Sequence, residues 1–489
     1  MKSLIRLITR IDPLIGHRLD AECKQFFDLV QSRKLKSPQE AMQQLYQGTR
    51  QRQRFSELKM KLVRQLTKAV LMHPWYYTTM NQQVHAECWQ SLAAIKMLLA
   101  QGHREDVQDL LLTTLRKAQK YQLHRIAADI CLELYYLYLV IENNGRKGNR
   151  YKKLMLEQRE MANAEEEVMG RWAEIAALRN SSRQNNKFIR EKLAQVCKKV
   201  NHHLRYNSVN INIFIWNFNI MRYYLEHDYQ AVVNICQGAI RFMEDRKIDR
   251  TITYRYQLTP AQLILGQYDA ARENIKIAIG CVRKDQYTWS VFTYYRLLIE
   301  LHSGEYQQAY HLYLAANAVP QISKALNEQW KIVRGYIAFL IKNKRVQANE
   351  GRRPHYRKFI ESVPIFSQDK QGNNINIIIL QLIHSIGHNN DLIIDRAEAI
   401  RKYIDRHMKS RELIRARTFI EMLLKIPRYR FHYQAVLRHT ANDLKRLKSR
   451  HIRMTQNQDI EIIPYLNLWE MVLYTLSKNH PYGRRRIYR

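Results

Sequence analysis

Glycine and proline are scarce, at 15 and 10 of 489 residues, which argues against a loop-rich or low-complexity chain and suits long helices joined by short turns. Acidic residues are also short: 44 Asp plus Glu face 80 Lys plus Arg, a formal charge of +36. That imbalance attracts phosphate polymers, anionic lipid or acidic protein surfaces, and does not by itself choose among them. The six cysteines, Cys23, Cys88, Cys131, Cys197, Cys236 and Cys281, contain no Cys-x-x-Cys pair and read as small buried hydrophobes in a reducing compartment. No apolar run approaches eighteen residues, so no membrane span is expected, and Met1 to Arg10 lacks the continuous apolar stretch of a signal peptide. A cytoplasmic setting follows.

The commonest catalytic signatures are missing too. There is no Walker-type glycine loop, no Gly-x-Ser-x-Gly elbow and no His-Glu-x-x-His. His384 and His388 have the i, i+4 spacing of a chelating pair, but a metal needs a third ligand and Gly387 weakens the helix between them, so two surface histidines are expected. No catalytic residue, metal or cofactor is assigned.

What the chain does have is helical periodicity. Val84, Cys88, Leu92, Ile95 and Leu99 recur every three or four residues and define one face of a helix; Val107 to Ala118 and Leu123 to Val140 give two more. Asn143 to Arg150, with two glycines among polar and basic residues, reads as an exposed loop, and Lys342 to Pro354 as a second break. Three regions result: an N-terminal helical region 1–142, helical repeats 151–342, and a basic C-terminal helical region 355–489. Asn210 to Asn219 and Asn373 to Ile379 partly alternate polar and apolar residues; helix is preferred for the first, and periodicity does not decide the second.

A spacing recurs within the middle region. Gly266, Tyr268 and Ala271 are matched by Gly304, Tyr306 and Ala309, and more loosely by His227, Tyr229 and Val232, at intervals of 38 or 39 residues. A period of this size marks stacked helix pairs, none of which buries its apolar face alone. The units resemble the tetratricopeptide repeat, in which a small residue sits at the turn, an aromatic follows two residues on, and an alanine three further marks a close helix crossing. Ile275 with Ala278, and Tyr313 with Ala316, take the family's later apolar and small positions. The period exceeds the family's 34 residues, and Pro260 stands inside a first helix.

The resemblance covers residues 201 to 342 and implies an all-α solenoid of antiparallel helix pairs, a superhelix whose groove, lined by first helices, takes an extended peptide or partner helix. The candidate groove residues are Asn212, Trp216, Asn219, Arg222 and Tyr223 in one unit and Trp289, Tyr294 and Arg296 in another. A basic surface is expected at Arg146, Lys147, Arg352, Arg353, Lys445, Arg446 and Arg484, Arg485, Arg486, and residues 401–489 hold 21 Lys plus Arg against 7 Asp plus Glu. Together these features imply a non-catalytic adaptor or scaffold for an acidic protein or peptide. The rival is a helical-repeat protein that binds RNA or DNA, with the ribosome as one setting, although no recognised nucleic-acid module accompanies the charge.

Overall fold

The computed structural model describes residues 8, 13–32, 45, 52–71, 80–104, 107–180, 186–283, 287–317, 324–348, 373–386, 390–409, 413–452 and 460–478. Among them the chain is all-α, with nineteen α-helices, short 3-10 and π turns, and no strand. Consecutive helices pack on their chain neighbours, the arrangement of an α-solenoid. The chain divides into two compact units, residues 1–167 with 206–209, and residues 168–205 with 210–489.

The first unit contains α1 (Ala21–Gln31), α2 (Arg52–Leu71), α3 (Met80–Ala100), α4 (Gln108–Lys120), α5 (His124–Tyr136) and the start of α6 (Gly145–Asn180). Two apolar clusters hold it. One runs from Ile8 to Ala69, and the other joins α3, α4 and α5 through Cys88, Ile95, Leu111 and Ile130. The break expected at Asn143 to Arg150 is corrected here, because α6 begins at Gly145. Asn144 accepts a hydrogen bond from the Lys147 amide at 3.1 Å, as a helix cap does. Gly148 is buried against Leu139, where an added Cβ would approach the Leu139 side chain to 3.1 Å. The glycine permits a close approach inside a helix; it does not end one.

The second unit continues with α7 (Asn186–Val200), α8 (Val209–Glu226), α9 (Tyr229–Asp245), α10 (Thr251–Ile264), α11 (Tyr268–Gly280), α12 (Tyr287–Ser303), α13 (Tyr306–Asn317) and α14 (Lys324–Lys342). It ends with α15 (Asn373–Ser385), α16 (Asn390–His407), α17 (Ile414–Arg428), α18 (Tyr433–Lys448) and α19 (Tyr465–Lys478). The stretches that the sequence left ambiguous, 210–219 and 373–379, both lie in helices. One apolar cluster runs from Ile220 to Leu476, so the expected boundary near residues 342–355 does not separate two cores. Contacts distant in sequence explain why: Asn467 donates to the Tyr306 hydroxyl at 3.1 Å, and Thr475 to Asn343 Oδ1 at 2.9 Å.

The recurring turn has one backbone solution. Gly266 and Gly304 take φ of 72° and 86°, and His227 stands in the matching place at 60°. Each reverses the chain after a helix through the left-handed region, where glycine has no Cβ penalty and histidine does. Asp228 offsets part of that cost by capping α9 through the Ala231 amide at 3.0 Å. Tyr268 and Tyr306 pack half-buried against the core, and Ala271 and Ala309 are fully buried within it. Replacing Ala271 or Ala309 with Leu should overpack these crossings and cost about 1 to 3 kcal/mol, read as a fall in urea midpoint; unchanged midpoints in both variants would contradict the packing.

Five of the six thiols, at Cys23, Cys88, Cys131, Cys197 and Cys236, are buried and unpaired, and Cys281 is exposed. Burial pushes the Cys131 thiol up to about 12, which keeps it protonated and unreactive. His384 is also buried, with Nε2 at 3.2 Å from the Gly335 carbonyl, whereas His388 lies outside the described residues. Among the described residues no helix is long and apolar enough to cross a membrane.

Candidate functional site

The helices of the repeat region fall into two kinds. On α10, α12 and α14 almost every position is at least partly buried, while α9, α11 and α13 keep regularly spaced exposed positions. A helix that is covered nearly all round sits inside a layer, and one with a polar stripe sits outside it. The first helices also pack on one another, α10 on α12 and α12 on α14. They therefore form a continuous inner layer.

The candidate groove residues occupy this layer unequally. Asn212 corrects the expectation, since it is only 4 % exposed between the fully buried Ile211 and Ile215 and has no surface to offer. Trp216 is half-buried and edge-on to Phe242 and Tyr254, with centroids 5.2 and 5.8 Å away. Tyr294 is half-buried and meets Trp330 edge-on at 6.0 Å, and Trp289 and Tyr223 are half-buried as well. These rings serve packing with at least part of their area.

The polar candidates are partly engaged within the protein. Asn219 donates to Asn201 Oδ1 at 3.0 Å and to the Ile215 carbonyl at 2.9 Å. Arg222 pairs with Glu226 at 3.1 Å and lies 4.6 Å over the Tyr223 ring. Arg296 is different: it is exposed, and among the described residues it has no carboxylate partner.

Two cations that the sequence reading passed over share that property. Lys331 and Arg334 stand one turn apart on α14, exposed and without a carboxylate partner among the described residues. Among the described residues, these two and Arg296 are the charged side chains left exposed on α10, α12 and α14. The local signal was present, since Lys331 and Arg334 interrupt an otherwise apolar run from Trp330 to Phe339 at a spacing that selects one face.

Buried charges on the inner helices are neutralised from the outer ones. Glu300, on α12, accepts from Arg272 of α11 at 2.8 Å, and Arg255, on α10, donates to Asn274 Oδ1 at 3.1 Å and to Glu244 at 2.7 Å. The acids are consumed between layers, and the unmatched charge on the inner face is positive.

The residues of the expected basic surface that the structure describes are divided between the two units. Arg146 and Lys147 belong to the first unit, where Lys147 lies 3.9 Å from Glu142 and 4.8 Å over the Tyr138 ring. Lys445 and Arg446 are exposed on α18 in the second unit, with Arg446 at 4.0 Å from Asp443. Arg352, Arg353, Arg484, Arg485 and Arg486 lie outside the described residues. Comparison with protein-family models, with curated proteins and with solved structures finds no match.

Proposed function

We propose that this chain is a non-catalytic, tetratricopeptide-like adaptor of the cytoplasm, which captures an acidic protein or peptide on the inner layer of its repeat region. One observation carries the reading: the exposed charges on α10, α12 and α14 are Arg296, Lys331 and Arg334, all cations lacking an internal partner among the described residues. A cation with no internal carboxylate has no existing ion pair to give up when it meets a partner's carboxylate. Half-buried rings at Trp289 and Tyr294 border the same helices and supply contact area beside the charges. The buried thiols suit a reducing compartment.

The test is capture by the tagged full-length chain with nuclease present, comparing the wild type with the triple variant Arg296→Glu, Lys331→Glu, Arg334→Glu. Acidic co-purifying proteins should fall roughly tenfold or more with the triple variant, because like charges across an interface repel. Arg146→Glu with Lys147→Glu should leave capture nearly intact. Capture abolished by nuclease alone, or indifferent to the triple variant, would overturn the reading.

A further inference from the structure

The C-terminal helices hold a second grouping of cations. An open cleft of about 300 Å³ is lined from α16 and α17 by Arg401, Lys425 and Arg428, with the carboxylates of Asp405 and Glu421 beside them. Arg417, outside the lining, pairs with Glu421 at 2.8 Å and reaches Asp405 at 3.8 Å, so one of the two carboxylates is closely paired. Lys425 is held by Asp443 at 2.5 Å and by the His439 carbonyl at 3.2 Å. Arg401 and Arg428 are exposed, and among the described residues neither has a carboxylate partner. Two guanidiniums contributed by two helices to one cleft present planar forks of donors that match phosphate oxygens.

A flat aromatic surface adjoins the cleft. Tyr429, next in the chain to Arg428, stacks on His439 with centroids 4.0 Å apart and planes 4° from parallel. His439 is exposed, and the Lys425 bond to its carbonyl ties its position to the cleft wall. Arg430 and Arg438, both exposed, lie between the two ring residues in sequence, each next to one of them. The turn that follows Tyr429 places Arg430 and Phe431 at φ of 53° and 58°, a conformation that side chains other than glycine rarely adopt in succession.

Arginines for phosphate beside a stacking surface for bases are the two elements by which single strands are bound. An acidic peptide would engage the arginines, but the exposed His439 of a parallel-stacked pair offers a flat platform of the kind a base fills. We infer that this part of the second unit is a binding site for single-stranded nucleic acid, in which Arg401 and Arg428 hold backbone phosphate and the His439–Tyr429 pair stacks on a base. The site lies apart in sequence from Arg296, Lys331 and Arg334, and does not depend on the adaptor reading.

The experiment uses the full chain and a fluorescein-labelled oligouridylate of about eight nucleotides, with anisotropy followed across salt from about 50 to 200 mM. Arg401→Gln with Arg428→Gln should weaken binding about tenfold and reduce the slope of log affinity against log salt by roughly 1.4, that of two phosphates on a single strand. His439→Ala should weaken binding of the oligonucleotide about tenfold and leave binding of polyglutamate unchanged. Arg64→Gln with Lys68→Gln, exposed cations of α2, removes the same charge and should alter affinity less than twofold. Unchanged oligonucleotide affinity in His439→Ala, or a control pair as harmful as the cleft pair, would overturn the site. Photocrosslinking of the wild-type chain to a 5-iodouridine oligonucleotide guards against misfolded variants: adducts should map to residues 425–439, and adducts confined to other segments would refute the assignment.

Discussion

Arg415→Ala should lower the unfolding free energy of the second unit by about 3 to 5 kcal/mol, the range found when one member of a buried ion pair is removed. Arg415 and Glu461 are 8 % and 7 % exposed and meet in a two-pronged contact, Nε to Oε1 at 2.6 Å and Nη2 to Oε2 at 3.3 Å. Arg415 Nη1 also donates to the Leu447 carbonyl at 2.7 Å and to that of Arg450, which closes the end of α18. Glu461 Oε2 accepts from the Tyr465 amide at 3.0 Å at the start of α19, and the Glu461 carbonyl lies 2.5 Å from Nε2 of His302 on α12. Burial drives the His302 imidazole down to about 4, so it is neutral near pH 7 and donates from Nε2. Arg415 and Glu461 together thus fasten α17, α18, α19 and α12, and truncating Arg415 strands a buried carboxylate and two carbonyls. The double variant Arg415→Met, Glu461→Leu removes both charges and should cost distinctly less, since well-packed apolar replacement of a buried pair is often nearly neutral. Urea unfolding, monitored by hydrogen exchange in α17 to α19, separates the two outcomes. Equal losses would mean that the guanidinium bonds to the Leu447 and Arg450 carbonyls, lost in both variants, hold the junction, and not the stranded charge.

Much of this architecture was legible because it is local. Val84 to Leu99 shows its buried face every three or four residues, and it is α3. The turn after each first helix was legible from Gly266 and Gly304, and His227 shows that the backbone solution survives where the residue is unfavourable. Composition misled at Gly145 and Gly148, since a glycine that admits Leu139 has the same letter as one that ends a helix. The union of the repeats with the C-terminal helices was not legible at all. It rests on Arg415 with Glu461, and on His302, Asn343 and Tyr306 reaching residues more than a hundred positions away, which no periodicity encodes.

The candidate site divides along the same line. Arg296 was read as a groove residue and is an unmatched exposed cation. Asn212 was read the same way from its polarity, yet its neighbours Ile211 and Ile215 carry it inside. Trp216 and Tyr294 show the limit of spacing arguments for aromatics, because a ring at helical spacing fits a core edge as well as a groove. Lys331 and Arg334 were passed over because they lie beyond the last unit that the Gly-x-Tyr-x-x-Ala spacing aligned, so no repeat register pointed to α14.

Phe292→Ala should produce the other large loss, about 3 to 5 kcal/mol for a fully buried aromatic truncated to a methyl group. Phe292 has no exposed surface and meets Tyr256 of α10 edge-on at 6.3 Å. Its helix, α12, packs on α10, α11, α13 and α14, so the cavity opens at the meeting point of successive helix pairs. In a stacked array stability is approximately a sum of unit terms and nearest-neighbour interfaces, and a defect should loosen its own neighbourhood first. α18 packs on α17 and α19 and provides the internal reference. Native-state hydrogen exchange should therefore show lost protection across Thr251–Ile264 and Tyr306–Asn317 at denaturant concentrations where Tyr433–Lys448 is still protected. If protection falls uniformly from α10 to α19, the second unit unfolds as one cooperative body. The Arg415–Glu461 junction would then be stronger than the interfaces between helix pairs, and Arg415→Ala combined with Phe292→Ala would be the variant in which graded loss reappears.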